Sequence, residues 1–337
     1  MPDPRTAERP SALDAAVDMH AHFLPTEYRT ALKAAGIDAL DGMPTGVPQW
    51  TKGSALELMD EAGIALALLS ISSPGVLLEA GERGAIRLAS LVNDAGAEIS
   101  RAHPDRFGFV ATLPLPDVDA ALAELDRSVA ELSARGVVLL TNYRGCYLGD
   151  ARFDPVFEEL HRRGSVVVLH PTSPCDGSGG GGGVSVAPGY PPPMLEFIFE
   201  TTRAVVNLIM SRTVERYPRI SFVVPHGGAA LPVLVDRVER VGATLERAAG
   251  RDPVDVRAAL GQLHYDLAGG TPDGLLPALL RLARPDRLLY GSDYPFTPAS
   301  RVLELAALLR ATDLLSAGER RDVLAGNARR LLRVLKV

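Results

Sequence analysis

The 337-residue chain is 47% apolar and 23% charged with a formal charge of −6, a composition that supports a substantial core and offers no basic stripe for nucleic acid or anionic lipid. Its two cysteines, Cys146 and Cys175, are too few for a disulfide framework. The opening residues lack the apolar core of a secretory signal and no run approaches the roughly 20 apolar residues of a membrane span, so a cytoplasmic, reducing setting without a membrane partner is expected. Lysine occurs only at 33, 52 and 336. That excludes a Schiff-base lysine, a pyridoxal-phosphate lysine or a metal-bridging carboxylated lysine on any strand between the last two.

In chain order, strand-like apolar runs fall near 15–19, 64–71, 107–112, 136–141, 166–170, 220–225, 263–267 and 287–291. Helical patterns lie between most of them, as over 120–134, where Leu122, Leu125, Val129 and Leu132 recur at three- and four-residue spacing. Strand alternating with helix implies a parallel α/β sheet, and α/β barrels reach this length as one domain, here 1–337. Asp117 and the pair Asp154-Pro155 read as helix N-caps, Gly136 and Gly164 as helix stops, and 317–335 as a closing helix. Two inserts break the rhythm: 23–53, which holds the only tryptophan, Trp50, and 171–193, which holds the glycine-rich stretch 177–183. The glycine run lacks the Lys-Ser/Thr ending of a phosphate loop and reads as a rim loop that shapes or covers a pocket.

The chemistry gathers at strand ends. Val17-Asp18-Met19-His20-Ala21-His22 places two imidazoles on alternate residues, hence on one face of an extended strand. The runs ending in His170, His226 and Asp293 repeat that grammar, each an apolar strand delivering one metal-competent side chain. In a parallel barrel all strand C-termini meet at one rim. His103 and His161 read as surface groups at helix ends. His264 lies inside a strand without a clear direction, and Asp266, which ends that strand, is the better candidate to stand behind the site. Phe23, Trp50, Tyr143 and Phe296 are rim aromatics able to sandwich an aromatic ring, or simply to fill the mouth of the barrel.

Asp18-Met-His20-Ala-His22, His170, His226-Gly-Gly and Gly291-Ser-Asp293-Tyr-Pro-Phe296 resemble the amidohydrolase superfamily. They resemble in particular its decarboxylase branch, which includes aminocarboxymuconate semialdehyde decarboxylase and γ-resorcylate decarboxylase. Thr112–Asp117, Leu140–Tyr143, Tyr147–Asp150, His170–Pro174 and Thr201–Ala204 are similar to the corresponding stretches of 6-methylsalicylate decarboxylases. The resemblance implies a (β/α)8 barrel with one divalent ion, Zn2+ first and Mn2+ second, on His20, His22, His170 and Asp293. It implies that His226 stands beside the ion as a proton-transfer group, the alternatives being a fifth ligand or a structural ring. Asp18 then orients a ligand or loop, and Arg237 meets a substrate carboxylate, in some relatives across a dimer interface; otherwise Arg237 pairs with Asp236 or Glu239 on its own helix. The assembly implied is a homodimer or homotetramer.

The reaction implied is loss of carbon dioxide from a small ortho-hydroxybenzoate, 6-methylsalicylate to m-cresol being the leading case, with Asp293 or His226 as proton donor. Two other readings stay open at this level. The same ligands could serve metal-assisted hydrolysis of a lactone or amide, with His226 as base, or a catalytically silent metal-binding protein.

Overall fold

The computed structural model describes residues 15–78, 81–175 and 190–333. β1 (Ala16–His22) pairs in parallel with β2 (Ile64–Ser70), and β2 with β3 (Phe107–Phe109). One residue further the chain becomes β4 (Ala111–Thr112), which turns to pair with β5 (Val137–Leu140). After an antiparallel hairpin of β6 (Asn142–Tyr143) and β7 (Cys146–Tyr147), the sheet continues through β8 (Val166–His170), β9 (Ser221–Val224), β10 (His264–Asp266) and β11 (Leu288–Leu289). The ring closes where Met19 N donates to Tyr290 O at 2.9 Å and Ala21 bridges to Tyr294. With β3 and β4 sharing one rung, the chain forms a (β/α)8 barrel, and its rungs match the eight apolar runs of the sequence.

Apolar residues form two layers. Val17, Met19, Leu68, Val110, Val138 and Val168 fill the barrel interior, and Ala328, Leu331 and Leu332 of the C-terminal helix close its floor. A larger cluster lies between the strands and the surrounding helices. This double burial is why the strands read as continuous apolar runs rather than alternating ones. It also leaves the strand C-termini as the end of the barrel where polar side chains gather.

Several local expectations hold and others are corrected. Asp117 caps the helix Val118–Ala130, accepting from Ala120 N at 3.0 Å, and Gly164 ends the helix Asp154–Arg163 in the left-handed conformation. Asp154 is not a cap. It lies inside the first turn, and its carboxylate accepts both terminal nitrogens of Arg216 at 2.7 and 2.8 Å, a bidentate pair that outcompetes capping. Gly136 is not a helix stop, since that helix ends at Ala130. Gly136 instead leads into β5 at φ 146, where a Cβ would stand 2.5 Å from Val166 O. The closing helix is broken into Ala317–Arg321, a π-helical turn Asp322–Gly326, and Asn327–Arg333, whose Asn327 Nδ2 donates to Pro285 O and Leu288 O at 2.8 Å each. His103 and His161 are partly buried, and His161 Nδ1 accepts from Arg219 N at 3.2 Å.

The first insert carries the helix Thr26–Ala34 and the single turn Leu40–Gly42. The glycine-rich stretch 177–183 lies outside the described residues. No helix among the described residues is long and apolar enough to cross a membrane.

Candidate metal centre

β1 builds the first half of the site through an irregularity. Its register against β2 shifts between Asp18 and Ala21, and Val17 and Met19 both pack into the barrel interior. Asp18 between them therefore points outward as alternation dictates, and the irregularity that follows it changes the phase, so that His20 and His22 do not share the face of Asp18. Its Oδ1 accepts from His20 N at 3.1 Å and from Ser292 N at 3.0 Å, so one carboxylate pins the bulge of β1 to the loop after β11. Burial pushes that carboxyl up to about 7, against the pull of these hydrogen bonds.

His20 Nε2 and His22 Nε2 lie 3.1 Å apart. Asp293 Oδ1 is 3.5 Å from the first and 3.1 Å from the second. His170 ends β8 and completes a set of four donor atoms all within 4.8 Å of one another. Asp293 reaches this position from a left-handed backbone (φ 58), held there by its N–H, which donates to His20 O at 2.7 Å. His226 is also left-handed (φ 55). Such non-glycine residues cost on the order of 1 kcal/mol or more each, and strain of this kind gathers at functional sites. Gly291 permits the close approach, because a Cβ there would stand 2.8 Å from His20 Cβ.

The donor set fits a divalent ion. His22 Nδ1 faces Ser70 O at 3.3 Å and Ser70 Oγ at 3.1 Å, the hydroxyl itself donating to Ala21 O, and His170 Nδ1 faces Pro171 O at 2.7 Å. A carbonyl can only accept, so in both rings Nδ1 carries the hydrogen and Nε2 keeps its lone pair. His20 Nδ1 faces Asp266 Oδ2 at 2.9 Å, with the same consequence. Three lone pairs and one carboxylate oxygen thus converge, each ring fixed by an outer partner as ligating histidines are. The separations of 3.1 to 3.5 Å among His20, His22 and Asp293, with His170 inside the 4.8 Å span of the set, are close enough for all four to reach one ion. The protein therefore has a His/His/His/Asp metal site.

Electrostatics follow from burial and these partners. Without an ion, burial would lower the His20 imidazole but Asp266 outweighs it and holds it up at about 9, so a metal that binds Nε2 must displace a proton there. Burial lowers His22, and together with the neighbouring imidazoles it takes His170 well below the ordinary histidine value. Burial would raise Asp293, yet the His22 and His226 side chains and the charge of His20 keep it well below the usual carboxylate range. Asp293 is thus an anion in the site.

His226 sits at the edge of the cluster, its Nε2 3.8 Å from Asp293 Oδ2. Its backbone N–H donates to Asp266 Oδ1 at 3.2 Å, and its Nδ1 has no hydrogen-bond partner among the described residues. Asp266 thus contacts both the His20 ring and the His226 backbone from behind the cluster. His264 faces elsewhere, its Nε2 accepting from Arg287 Nη1 at 3.3 Å, and burial plus the Arg287 charge push it down to about 4.

A cavity of about 260 Å³ opens beside these groups. Its floor is His170, His226, Asp293 and Ser72, and its walls include Phe296, Phe197, Ile198, Leu40 and Met43. Phe296 also lies edge-on to His22, with ring centres 5.3 Å apart. The other expected aromatics lie elsewhere. Tyr143 is buried, its OH accepting from Leu140 N and its ring 6.0 Å from Phe153. Phe23 is buried against Trp50, ring centres 6.1 Å apart, and Trp50 packs on the outer side of β1 near Leu58 and Met59. These three residues fill the barrel's apolar layer instead of the cavity wall. Arg237 is exposed on the helix Leu231–Ala248, away from the cavity of its own chain.

Sequence reasoning missed Asp41, Met43, Ser72, Phe197 and Ile198. The position of 23–53 after β1 marks that insert as a rim element, but no motif singles out Asp41 within it.

Residues 17–334 match the amidohydrolase family Amidohydro_2. A 6-methylsalicylic acid decarboxylase of Penicillium expansum is 33% identical over 305 residues, covering 89% of this chain and 91% of that protein. The crystal structure of an amidohydrolase II is similar at a TM-score of 0.86 and 33% identity, over 95% of this chain and 100% of that one. The structure of a 2,6-dihydroxybenzoate decarboxylase complexed with 2,6-dihydroxybenzoate is similar at a TM-score of 0.76 and 25% identity, over 95% and 99%.

Proposed function

The chain belongs to the amidohydrolase family, and from that premise we propose that it is a metal-dependent, non-oxidative decarboxylase of a small ortho-hydroxybenzoate, with 6-methylsalicylate to m-cresol and carbon dioxide as the leading case. The observation that carries this reading is the set of three outwardly anchored imidazoles converging with Asp293, of which His170 and Asp293 line a cavity walled by Phe296, Phe197, Ile198 and Leu40. Two relatives named above act on, or bind, a benzoate flanked by a ring hydroxyl. The apolar, partly aromatic walls suit a planar aryl acid better than a lactone or amide.

His20, His22, His170 and Asp293 are the residues that would hold the ion, Zn2+ in the first instance and Mn2+ in the second. When bound, the ion supplies positive charge that attracts the substrate carboxylate and offsets charge developing in the reaction. The chain's own residues do the rest. Decarboxylation exchanges a bond from the ring to the carboxyl carbon for a bond to hydrogen, so a proton must reach the carboxyl-bearing ring carbon. His226, which lines the cavity with its Nε2 3.8 Å from Asp293 Oδ2, is the proposed donor, and Asp293 would orient its ring. The electron pair of the broken C–C bond then restores aromaticity as carbon dioxide leaves. Asp293, held as an anion, is the weaker candidate for donor. Asp266 positions both His20 and His226 and does not touch substrate.

We further propose that the chain works as one barrel domain and assembles as a homodimer through the helix Leu231–Ala248. Val233, Val241 and Leu245 are 76%, 44% and 62% exposed and share one face with Arg237 at four-residue spacing. Burying that face would carry Arg237 toward a partner's cavity, where its planar guanidinium suits a carboxylate. Unpaired Cys146 and Cys175 accord with a cytoplasmic setting.

The deciding experiment incubates protein of measured metal content with 6-methylsalicylate and follows m-cresol and carbon dioxide, before and after chelation. Chelator-sensitive product supports the proposal. No product from protein carrying one ion per chain removes 6-methylsalicylate as the substrate, and no product from a panel of ortho-hydroxybenzoates removes the decarboxylase reading.

A further inference from the structure

Besides Asp293, one carboxylate, that of Asp41, lines the cavity together with the apolar side chains of Leu40, Met43, Phe197 and Ile198. Asp41 lies in the single helical turn of the first insert, at a left-handed φ of 48. Its Oδ1 accepts from Ser73 Oγ and Ser173 Oγ, both at 2.8 Å. Ser73 follows β2 and Ser173 follows β8, so a residue of the insert is anchored to two barrel strands. Thr172 Oγ1, 2.8 Å from Ser73 Oγ, extends the chain of hydroxyls. With Ser73 donating to Asp41, Thr172 is left to donate to Ser73.

Both serines engage the same carboxylate oxygen. Among the described residues no hydrogen bond reaches Oδ2. Burial pushes the carboxyl up, against the two serine hydroxyls, which is the cost of placing an incompletely paired charge beside Leu40 and Met43. An acceptor held this firmly in a strained turn selects its occupant in two ways. It rewards a ligand that brings a hydrogen to Oδ2, and it repels a ligand that brings a second anion.

Resting on the decarboxylase reading of the same cavity, we propose that Asp41 is a specificity-determining residue that accepts a hydrogen bond from a ring hydroxyl remote from the substrate's carboxylate. The preferred substrate class is then a 6-alkylsalicylate carrying a second hydroxyl on the far edge of the ring. The bare 6-alkylsalicylate leaves Oδ2 without a partner once the cavity is filled. A second carboxylate at that edge is excluded by charge.

The test compares 6-methylsalicylate with 2,4-dihydroxy-6-methylbenzoate, which adds one hydroxyl, and with its 4-methoxy analogue, which cannot donate. Binding is measured by calorimetry on the metal-loaded protein, and kcat/KM is measured alongside. A hydrogen bond to a charged acceptor predicts that the hydroxyl compound binds about 10- to 100-fold more tightly than the methoxy compound in the wild type. In Asp41→Ala that ratio should fall to near one. The ratio in kcat/KM between hydroxyl and unsubstituted acids should fall by a similar factor, which separates recognition from the intrinsic activation of the ring by a 4-hydroxyl.

Equal binding of hydroxyl and methoxy acids by the wild type overturns the assignment and needs no variant. An unchanged ratio in a folded Asp41→Ala overturns it as well. Turnover without hydroxyl preference leaves the decarboxylase reading and removes the role of Asp41. Preference in binding that is lost in Asp41→Ala, without turnover of any acid, keeps the role and removes the reaction.

Discussion

His20 and Asp266 are joined by a 2.9 Å contact between Nδ1 and Oδ2, both side chains being essentially excluded from solvent. The other oxygen of the same carboxylate accepts from His226 N. One buried acid thereby sets the orientation of a metal-site imidazole and the backbone of the proposed proton donor. Asp266→Ala should weaken metal affinity about 10- to 100-fold, the usual effect of removing an outer partner of a ligating histidine. Competition with a chromogenic chelator measures this, and unchanged affinity would show that His20 needs no such support.

His226→Asn should retain the ion, because the four site donors are untouched, yet lose about 10² to 10⁴ in kcat. Metal content and single-turnover rates are read on the same sample. Full turnover by a folded, metal-loaded variant would transfer the proton-donor role to Asp293. Loss of metal in this variant would make His226 a fifth ligand.

Metal removal should lower thermal stability as well as activity, since an ion bound only by the folded chain stabilises it in proportion to the logarithm of its concentration over Kd. At 100 times Kd the gain is about 2.7 kcal/mol. The melting temperature of wild type should therefore climb with added Zn2+ or Mn2+, whereas that of His22→Ala should respond far less. Equal responses in the two proteins would place the stabilising ion elsewhere.

His264 gives a pH signature independent of the metal site. Its folded value is depressed to about 4 by burial and by Arg287, against an ordinary 6.5. The unfolded chain thus takes up a proton between those values that the fold refuses, so its contribution is fully present above pH 6.5 and is lost as pH falls toward 4. At pH 5 the loss is about 2 kcal/mol. Urea unfolding at pH 7 and pH 5 should show a smaller difference for His264→Gln than for wild type. Parallel curves would mean that the buried ring is already protonated or that the unfolded state holds it as tightly.

The exposed face of the helix Leu231–Ala248 supplies the last prediction. Val233→Asp with Leu245→Asp should convert the proposed dimer to monomer by sedimentation, and Arg237→Ala, with that assembly retained, should raise KM about tenfold or more with less effect on kcat. A wild-type monomer with full activity would remove both the assembly and the role of Arg237.

The sequence by itself determined the barrel and the metal donors, for a physical reason. Strands buried on both faces are written as continuous apolar runs, and a parallel barrel turns their C-terminal residues to one rim. His20, His22, His170, His226 and Asp293 were therefore legible as a group from their positions at strand ends, and the resemblance to amidohydrolases set His226 apart from the other four.

Tertiary structure decided what local pattern cannot carry. Regular alternation would place Asp18 on the same face as His20 and His22; the bulge after Asp18 shifts the phase of the histidines and leaves Asp18 outward, where it pins the β11 loop. Phe23, Trp50 and Tyr143 sit in rim segments like Phe296 does, but only packing reveals that Phe296 alone of the four borders the cavity. Gly136 resembles a helix stop until the carbonyl of Val166, thirty positions on, is found where its Cβ would be. Asp41 carries no motif at all. Its significance arises from two serines at 73 and 173 that only the closed barrel brings to one carboxylate oxygen.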